Sequence, residues 1–241
     1  MKVVILAGGK GTRLKPYTTS FPKPLVPIDD KPILEILINQ LISYGINDII
    51  LAVGHLAELI KAYFNDGKKL NANIKYSYEK EPLGTIGALS LIKNELDSTF
   101  LVINGDTLSD IDFNKLIENH KQSGSIATIA LTKRTVNIDF GVAEWSETQG
   151  IFKYHEKPTI GHLVSTGIYV FEPRIFEYME YNKRFDLPDL VKKLILNGEH
   201  VNGYIHDGYW LDIGRPEDYE KACSDYQKLK RKNNVLENTL I

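Results

Sequence analysis

The residues best suited to chemistry come at the start of the chain, in a glycine-rich turn followed by two cations. Gly8, Gly9 and Gly11 come directly after the apolar run MKVVILA. Glycine has no Cβ, so backbone N–H groups in such a turn can approach an anion closely. Arg13 and Lys23 add fixed positive charge nearby. This combination predicts a binding site for a polyphosphate.

Two common phosphate-binding motifs do not account for this turn. The P-loop pattern G-x-x-x-x-G-K-[ST] is absent from the sequence. The dinucleotide fingerprint G-x-G-x-x-G begins correctly at Gly9 and Gly11, but its last position is Leu14. The turn is therefore another kind of phosphate loop, or an ordinary glycine turn at the end of a central strand.

Asp106 and Asp212 are the carboxylates best placed to hold a metal ion. Asp106 follows a buried predicted strand, and Asp212 ends a short predicted strand before a helix. Magnesium prefers oxygen ligands and usually takes one or two carboxylates together with phosphate oxygens and water. Position alone fits equally well a turn-capping residue at Asp106 and an N-cap-type residue at Asp212. No His/Cys cluster has the spacing of a zinc site.

The opening of the chain resembles that of the sugar-nucleotide pyrophosphorylases, which join a nucleoside triphosphate to a sugar 1-phosphate. Their pattern is L-A-G-G-x-G-T-R-L-x-P-x-T, followed by K-P-L-x-P-I and K-P-I, and it is present at residues 6–18, 23–28 and 31–33. The resemblance extends to about Tyr219 and is strongest to mannose 1-phosphate and heptose 1-phosphate guanylyltransferases. It implies a glycosyltransferase-A-like α/β fold with a Rossmann-like sheet and a smaller, β-rich sugar-binding half.

The resemblance also implies roles for the nucleotide half. Arg13 would hold the β- and γ-phosphates and Lys23 would meet charge at the α-phosphoryl group, so both are the expected catalytic residues. Asp106 and Asp212 would hold Mg²⁺ between the α-phosphate and the sugar phosphate. The residues implied to bind the nucleotide are Leu6, Ala7, Gly8, Gly9, Gly11, Thr12, Arg13, Glu79, Pro82, Gly84, Thr85, Asn104 and Gly105.

The sugar phosphate is expected to bind to the second half, at Gly141, Glu156, Lys157, Ser165 and Thr166. The resemblance implies that Lys157 pairs with the phosphate and Glu156 binds sugar hydroxyls, although an exposed Glu-Lys-Pro turn is the simpler interpretation of that motif alone. Ser165 stands where many members have Asn. A hydroxyl lacks the separate donor and acceptor of an amide, so the identity of the sugar stays open.

Glu79 bears on the choice of nucleotide base. Thymidylyl- and uridylyltransferases commonly have Gln at this point, whose amide both donates and accepts. An ionised Glu only accepts, and guanine offers two adjacent donors, N1–H and the N2 amino group. The sequence therefore favours GTP, unless Glu79 merely solvates the end of a strand.

The elements that position these residues alternate between strand and helix in the first half. Predicted strands at residues 48–53, 73–78 and 100–104 are separated by helices, one of them expected from about Thr85 to Asn94. This alternation predicts a mainly parallel sheet with ligands beyond the carboxyl ends of its strands. From about Ser125 strands dominate. We expect a single domain of residues 1–241, with a nucleotide half (1–124) and a sugar-phosphate half (125–241).

Composition restricts the class of protein. The 241 residues are 43% hydrophobic, and 29 basic against 31 acidic residues leave a net charge of −2, so no basic field for nucleic acid is expected. The single Cys223 fits a reducing compartment. No apolar run has the length of a membrane span and no signal peptide is evident, which predicts a cytoplasmic protein. The charged tail from Gln227 is expected to be the solvated end of the last helix.

The expected function is therefore a nucleotidyltransferase that uses GTP and a mannose- or manno-heptose-type sugar 1-phosphate, and a homodimer is plausible. The alternatives are a thymidylyl- or uridylyltransferase, or a cytidylyltransferase that acts on a non-sugar phosphate. A non-catalytic subunit that senses nucleotide sugars is a further alternative. Retention of both metal carboxylates argues against that last interpretation.

Overall fold

The computed structural model describes residues 1–237, with side chains up to Tyr226. Its strands are β1 (Lys2–Ala7), β2 (Pro27–Ile28), β3 (Lys31–Pro32), β4 (Asp48–Val53), β5 (Asn73–Tyr78), β6 (Phe100–Asn104), β7 (Thr107–Ser109), β8 (Ala127–Asn137), β9 (Val142–Ser146), β10 (Gly150–His155), β11 (Thr159–Phe171), β12 (Val201–Ile205) and β13 (Trp210–Asp212). Its α-helices are α1 (Ile33–Ser43), α2 (Ala57–Phe64), α3 (Phe113–Ser123), α4 (Leu187–Leu196) and α5 (Pro216–Glu237). Short 3₁₀ helices include Thr12–Leu14 and Lys23–Leu25. The charged side chains expected to solvate the end of α5, from residue 227 onward, lie outside the described residues.

A seven-stranded sheet with the order β12-β8-β11-β6-β1-β4-β5 forms the centre of the molecule. β1 pairs in parallel with β4 and β6, β4 with β5, and β8 with β12. β11 runs antiparallel to both of its neighbours, β6 and β8. The expectation of a mixed, mainly parallel sheet is confirmed.

Both faces of this sheet are buried, which explains the continuous apolar run of β1. Val3 and Ile5 face a cluster that includes side chains of α1, α2 and α3. Val4 faces the opposite cluster, to which α4 and two 3₁₀ segments contribute. Side chains alternate along a strand, so a strand covered on both faces must be apolar at every position. β1 therefore lies at the centre of a layered α/β/α molecule and presents its carboxyl end to the glycine turn.

The segment after β5 differs from the prediction. The helix expected from about Thr85 is a 3₁₀ helix that spans Gly87–Glu95. Packing gives the reason, because a Cβ on Gly87 would lie 2.6 Å from the Lys183 carbonyl oxygen. The N–H groups of Ile86 and Gly87 both bond to the Phe185 carbonyl oxygen. Close contact with residues 183–185 thus draws the start of this segment away from regular α-helix.

A small antiparallel ribbon of β7 and β13 stands at the carboxyl end of the sheet. Its register pairs Thr107 with Asp212 and Leu108 with Leu211. Leu108 and Leu211 join a third apolar cluster that includes Leu14 of the amino-terminal turn. This cluster therefore packs the turn against the ribbon that carries Asp212.

Part of the second half of the chain, residues 132–165, forms a β-arm beyond the central sheet. Its strands are the outer parts of β8 and β11, which pair from Asn137 with Thr159 inward, and the hairpin of β9 and β10. Most side chains of the hairpin are exposed. Among residues 1–237, none of the helices is both long enough and apolar enough to span a bilayer.

Candidate active site

A cavity of about 470 Å³ lies at the carboxyl ends of β1 and β6. All the residues for which the sequence predicted a nucleotide, catalytic or metal role line it, and their roles stay predictions. The sequence analysis missed Pro24 and Gly214, which also line the cavity. Pro24 belongs to the pattern K-P-L-x-P-I and Gly214 lies two residues after Asp212, so both could have been found. The complete lining is Leu6, Ala7, Gly8, Gly9, Gly11, Thr12, Arg13, Lys23, Pro24, Glu79, Pro82, Gly84, Thr85, Asn104, Gly105, Asp106, Asp212 and Gly214.

Two glycines of the amino-terminal turn come close to other side chains. A Cβ on Gly8 would lie 2.5 Å from Glu79 Oε1. Gly11 has a φ of 60°, and its Cβ would lie 3.0 Å from both Lys23 Cβ and Thr18 Cγ2. Thr18 Oγ1 also donates a hydrogen bond of 2.8 Å to the Gly11 carbonyl oxygen. The turn is thus folded back against Lys23, and its shape depends on the missing side chains.

Lys23 begins a 3₁₀ helix and is 9% exposed, which is unusual for a lysine. Its Nζ donates a hydrogen bond to Asp106 Oδ2. Arg13, in contrast, is exposed, and its Nη2 lies 3.7 Å from where a Cβ on Gly214 would stand. One cation is therefore held within the wall of the cavity, and the other lies near Asp212.

Asp106 and Asp212 meet through the β7–β13 ribbon. The Ile213 N–H donates to the Asp106 carbonyl oxygen over 3.1 Å, one residue beyond the ribbon's last pair. Burial, and then the charge of Asp106, raise the pKa of Asp212, whereas Lys23 and Arg13 act in the opposite direction. The ionised form of Asp212 is thus disfavoured first by burial and second by the neighbouring carboxylate.

The carboxylate pair passes a test of fit for a divalent cation. Asp106 Oδ1 is buried and has no hydrogen-bond partner among the described residues. A buried carboxylate oxygen without a partner is costly, and a hard cation would satisfy it. The observed donor set, two carboxylates beside an open cavity, matches what Mg²⁺ uses together with phosphate oxygens.

Glu79 also lines the cavity and comes directly after β5. Its Oε2 accepts a hydrogen bond of 2.9 Å from the Leu83 N–H. Burial raises the pKa of Glu79, and the bond from Leu83 opposes that shift. Glu79 is therefore part of the loop's own structure as well as part of the cavity wall.

The residues expected to bind the sugar phosphate fall outside this cavity. Gly141, Glu156 and Lys157 are exposed on the β-arm. Tyr154 connects the first two of them, because its hydroxyl donates to Glu156 Oε2 over 3.3 Å and covers the α-carbon of Gly141. Lys157 has a φ of 45°, which is uncommon for a residue with a side chain. The structure brings these three together on the arm but does not join them to the cavity.

Ser165 and Thr166 lie on β11, where its register with β8 shifts between Ser165 and Tyr169. The Ser165 hydroxyl donates to the Tyr169 hydroxyl over 3.1 Å. The Thr166 side chain is buried and donates to the Ala130 carbonyl oxygen over 2.8 Å. The Thr166 carbonyl oxygen in turn accepts a bond of 2.7 Å from Trp210 Nε1. Since Trp210 and Asp212 share β13, this bond ties the irregular part of β11 to the strand that carries a cavity carboxylate.

Comparison with known proteins identifies relatives of this chain. The profile of the family described as Nucleotidyl transferase matches residues 2–229. UTP--glucose-1-phosphate uridylyltransferase of Synechocystis sp. is 36% identical and aligns over 97% of this chain and 65% of its own length. Mannose-1-phosphate guanylyltransferase catalytic subunit beta of Xenopus tropicalis is 34% identical over 97% of this chain and 67% of its own length. The chain thus spans about two thirds of the length of these curated relatives.

Solved structures show the same relationship. The crystal structure of HddC from Yersinia pseudotuberculosis is 32% identical, with a TM-score of 0.74 over 93% of this chain and 99% of that one. The same protein has also been solved in complex with GMP-PN, at a TM-score of 0.73. The expectation of a glycosyltransferase-A-like fold, with a mixed and mainly parallel sheet flanked by helices, is confirmed. The chain belongs to the nucleotidyl transferase family.

Proposed function

We propose that this chain is a sugar 1-phosphate nucleotidyltransferase, which makes a nucleotide sugar and pyrophosphate from a nucleoside triphosphate and a sugar 1-phosphate. An oxygen of the sugar 1-phosphate attacks the α-phosphorus in line, and the bond from that phosphorus to pyrophosphate breaks. The family match and the printed names of the relatives support this class of reaction.

One observation carries the proposal. The glycine turn, Arg13, Lys23 and two carboxylates converge on one cavity, although Asp212 is far from the others along the chain. Two polyanions must approach each other in this reaction, so positive charge and backbone N–H groups at fixed positions are what it requires. The cavity supplies both.

The chain's own residues act by position and charge. The amides of the turn and Arg13 bind the β- and γ-phosphates, and the buried Lys23 stabilises negative charge that builds on the α-phosphoryl oxygens. Lys157 on the β-arm anchors the sugar phosphate, and Glu156 binds sugar hydroxyls. The nucleophile is already an anion, so no general base is required.

Asp106 and Asp212 would hold Mg²⁺. A bound magnesium ion supplies positive charge that lowers the repulsion between the phosphate groups. Lys23 donates to Asp106 Oδ2 in the free chain, so the unpartnered Oδ1 is the oxygen that would be available to the ion.

We infer that the nucleotide is GTP. The carboxylate of Glu79 lines the cavity and, when ionised, only accepts hydrogen bonds, as the N1–H and N2 amino group of guanine require. The Xenopus relative is named a mannose-1-phosphate guanylyltransferase, and HddC has been solved with GMP-PN, which contains a guanine nucleotide. These relatives favour a mannose- or manno-heptose-type sugar 1-phosphate.

A uridylyltransferase is the second candidate. The Synechocystis relative is 36% identical and is named for UTP and glucose 1-phosphate. Uracil offers one N–H donor between two carbonyl groups, which a carboxylate satisfies only in part. The charge of Glu79 therefore places UTP second to GTP.

A substrate panel tests both candidates. The purified chain is incubated with Mg²⁺, each of GTP, UTP, dTTP, CTP and ATP, and each of mannose, glucose and a manno-heptose 1-phosphate, and pyrophosphate release is measured. We expect release to be fastest with GTP and one of the manno-configured sugars. Fastest release with UTP and glucose 1-phosphate would select the second candidate, and no release with any pair would overturn the enzyme proposal.

A further inference from the structure

Two hydrogen bonds that run in opposite directions join the loop of residues 79–85 to the start of α4. The Thr85 N–H donates to Asp186 Oδ1 over 2.9 Å. In the opposite direction, the Leu187 N–H donates to Thr85 Oγ1 over 2.7 Å. About a hundred residues separate the two partners in each bond. The loop of residues 79–85 is thus held from the second half of the chain.

Backbone bonds continue this connection on both sides of Thr85. The Phe185 N–H donates to the Leu83 carbonyl oxygen over 2.8 Å, and the Phe185 carbonyl oxygen accepts from Ile86 and Gly87. Gly84, between them, has a φ of 82°. A Cβ on Gly84 would lie 2.7 Å from both Asp186 Oδ1 and the Phe185 carbonyl oxygen. The approach of Asp186 is therefore close enough to require glycine in the loop.

The Asp186 side chain does not cap its helix in the ordinary way. Asp186 occupies the N-cap position of α4, where an Asp normally accepts a hydrogen bond from an N–H of its own helix. Its side chain makes no such bond, and the Thr85 hydroxyl accepts from Leu187 instead. A carboxylate placed at a cap, yet directed at a neighbouring loop, stabilises that loop as well as the helix.

The same loop also lines the cavity. Glu79, Pro82, Gly84 and Thr85 all line it. Glu79 Oε2 accepts from the Leu83 N–H within this stretch. The clamp, which we define as Asp186, Thr85 and their two hydrogen bonds, therefore fixes the segment on which the carboxylate of Glu79 rests.

We propose that Asp186 is a positioning residue for the nucleotide base, and that it acts by holding Leu83–Thr85 in the conformation that orients Glu79 and closes the base end of the cavity. This inference rests on the proposed function. Asp186 acts on the base only by holding the loop. Its loss therefore weakens the binding of ligands that carry a base and leaves the affinity for ligands that consist of phosphates alone unchanged.

Binding measurements with two probes test the inference. GTP and inorganic tripolyphosphate, each with Mg²⁺, are titrated into the full chain by calorimetry. Asp186→Ala removes the acceptor, and Asp186→Asn keeps an oxygen at Oδ1. Arg184→Ala is the control that removes only the ion pair of Asp186, since Arg184 Nη2 lies 3.7 Å from Asp186 Oδ2 whereas the Thr85 N–H bonds to Oδ1. Amide hydrogen exchange at Thr85 is followed in each variant.

We expect Asp186→Ala to weaken GTP binding at least roughly tenfold, the size expected for a lost hydrogen bond to a charged group. Its tripolyphosphate binding should stay within about twofold of wild type, and Thr85 exchange should be faster. Asp186→Asn and Arg184→Ala should bind GTP almost as wild type does.

Three results would overturn the inference. Equal GTP affinity in Asp186→Ala and wild type would show that the clamp does not position the base. Equal losses for GTP and tripolyphosphate would show general damage to the cavity. A wild-type chain that binds tripolyphosphate but no nucleoside triphosphate would remove the proposed function itself, and that result is distinguishable from the first two.

Discussion

Lys23 donates a hydrogen bond to Asp106 across 83 residues of sequence, and the Lys23 side chain is only 11% exposed. The two side chains join the amino-terminal turn to the end of β6. Because the lysine is almost buried, it is a fixed positive charge in the cavity wall rather than a mobile surface group. This arrangement ties the expected catalytic cation to the expected metal ligand.

Removing the charge of Lys23 should reduce turnover strongly. We expect Lys23→Ala to lower kcat by about 10²–10³, the usual cost of losing one preorganised charge at a reacting phosphoryl group. Steady-state pyrophosphate release measures it, with circular dichroism to show that the variant stays folded. Lys115→Ala, at an exposed position of α3, is the control and should keep wild-type kcat. Near wild-type turnover in Lys23→Ala would refute the assignment.

Replacing Asp212 by a neutral residue should raise the stability of the metal-free chain and lower its affinity for metal. The raised pKa of Asp212 means that the fold disfavours its ionised form in the absence of metal. Asp212→Asn should therefore raise the midpoint of thermal unfolding at pH 7 in EDTA. The same variant should lose most of the Mn²⁺ or Mg²⁺ affinity seen by calorimetry in the presence of nucleotide. Unchanged metal affinity would show that Asp212 is not a ligand.

Two glycines of the turn provide a matched pair. Gly11 has a positive φ and a crowded Cβ position, whereas a Cβ on Gly9 would meet nothing within 4 Å. Gly11→Ala should thus cost about 1–2 kcal/mol in the free energy of unfolding, from the left-handed backbone alone. Gly9→Ala should leave the unfolding curve unchanged but weaken tripolyphosphate binding, because Gly9 lines the cavity. Urea denaturation and calorimetry measure the two effects, and equal destabilisation by both would contradict the explanation.

The residues around the cavity could be predicted from the sequence because they follow buried strands or belong to contiguous patterns. β4 and β6 begin and end where the apolar runs predict, since strands covered on both faces are apolar throughout. The β7–β13 ribbon could not be paired in advance, because strands of three residues carry no periodicity of their own. The meeting of Asp106 with Asp212 depends on that long-range pairing.

The contacts of Asp186 were also beyond the sequence analysis. Asp186 received no prediction from the sequence, and its N-cap position before α4 describes where it lies but not the direction of its side chain. Likewise the 3₁₀ geometry of Gly87–Glu95 results from packing against residues 183–185 and not from local propensity. In both cases a contact distant in the chain overrides the local pattern.

Exchanging the carboxylate of Glu79 for an amide should alter the choice of base. Glu79→Gln keeps an oxygen for the Leu83 N–H but gains an NH₂ donor, which would face the donors of guanine. We expect kcat/KM for GTP to fall by roughly 10–100-fold. The ratio of kcat/KM for GTP to kcat/KM for UTP should fall by at least the same factor. Glu81→Gln, on the exposed side of the same loop, is the control. An unchanged ratio of GTP to UTP would mean that Glu79 does not read the base.

The same variant should change how stability depends on pH. Burial raises the pKa of Glu79 above its ordinary value of 4.5, so the folded chain holds this proton at pH values where the unfolded chain has lost it. The contribution of Glu79 to the free energy of unfolding is therefore largest at acidic pH and falls as the pH rises from about 4.5 through the raised pKa. Glu79→Gln carries no such proton and should be more stable than wild type at pH 7, with the difference vanishing at low pH.

Urea denaturation of wild type, Glu79→Gln and Glu81→Gln from pH 4 to pH 8 measures this difference. Glu81→Gln should show no comparable divergence from wild type as the pH rises, because Glu81 is exposed and lies outside the cavity. If Glu79→Gln were less stable than wild type at pH 7, the ionised carboxylate would have to stabilise the free loop. That result would indicate that the hydrogen bond from the Leu83 N–H outweighs the cost of burying the ionised carboxylate. The charge of Glu79 would then serve to stabilise the loop in the free chain and not to bind a base.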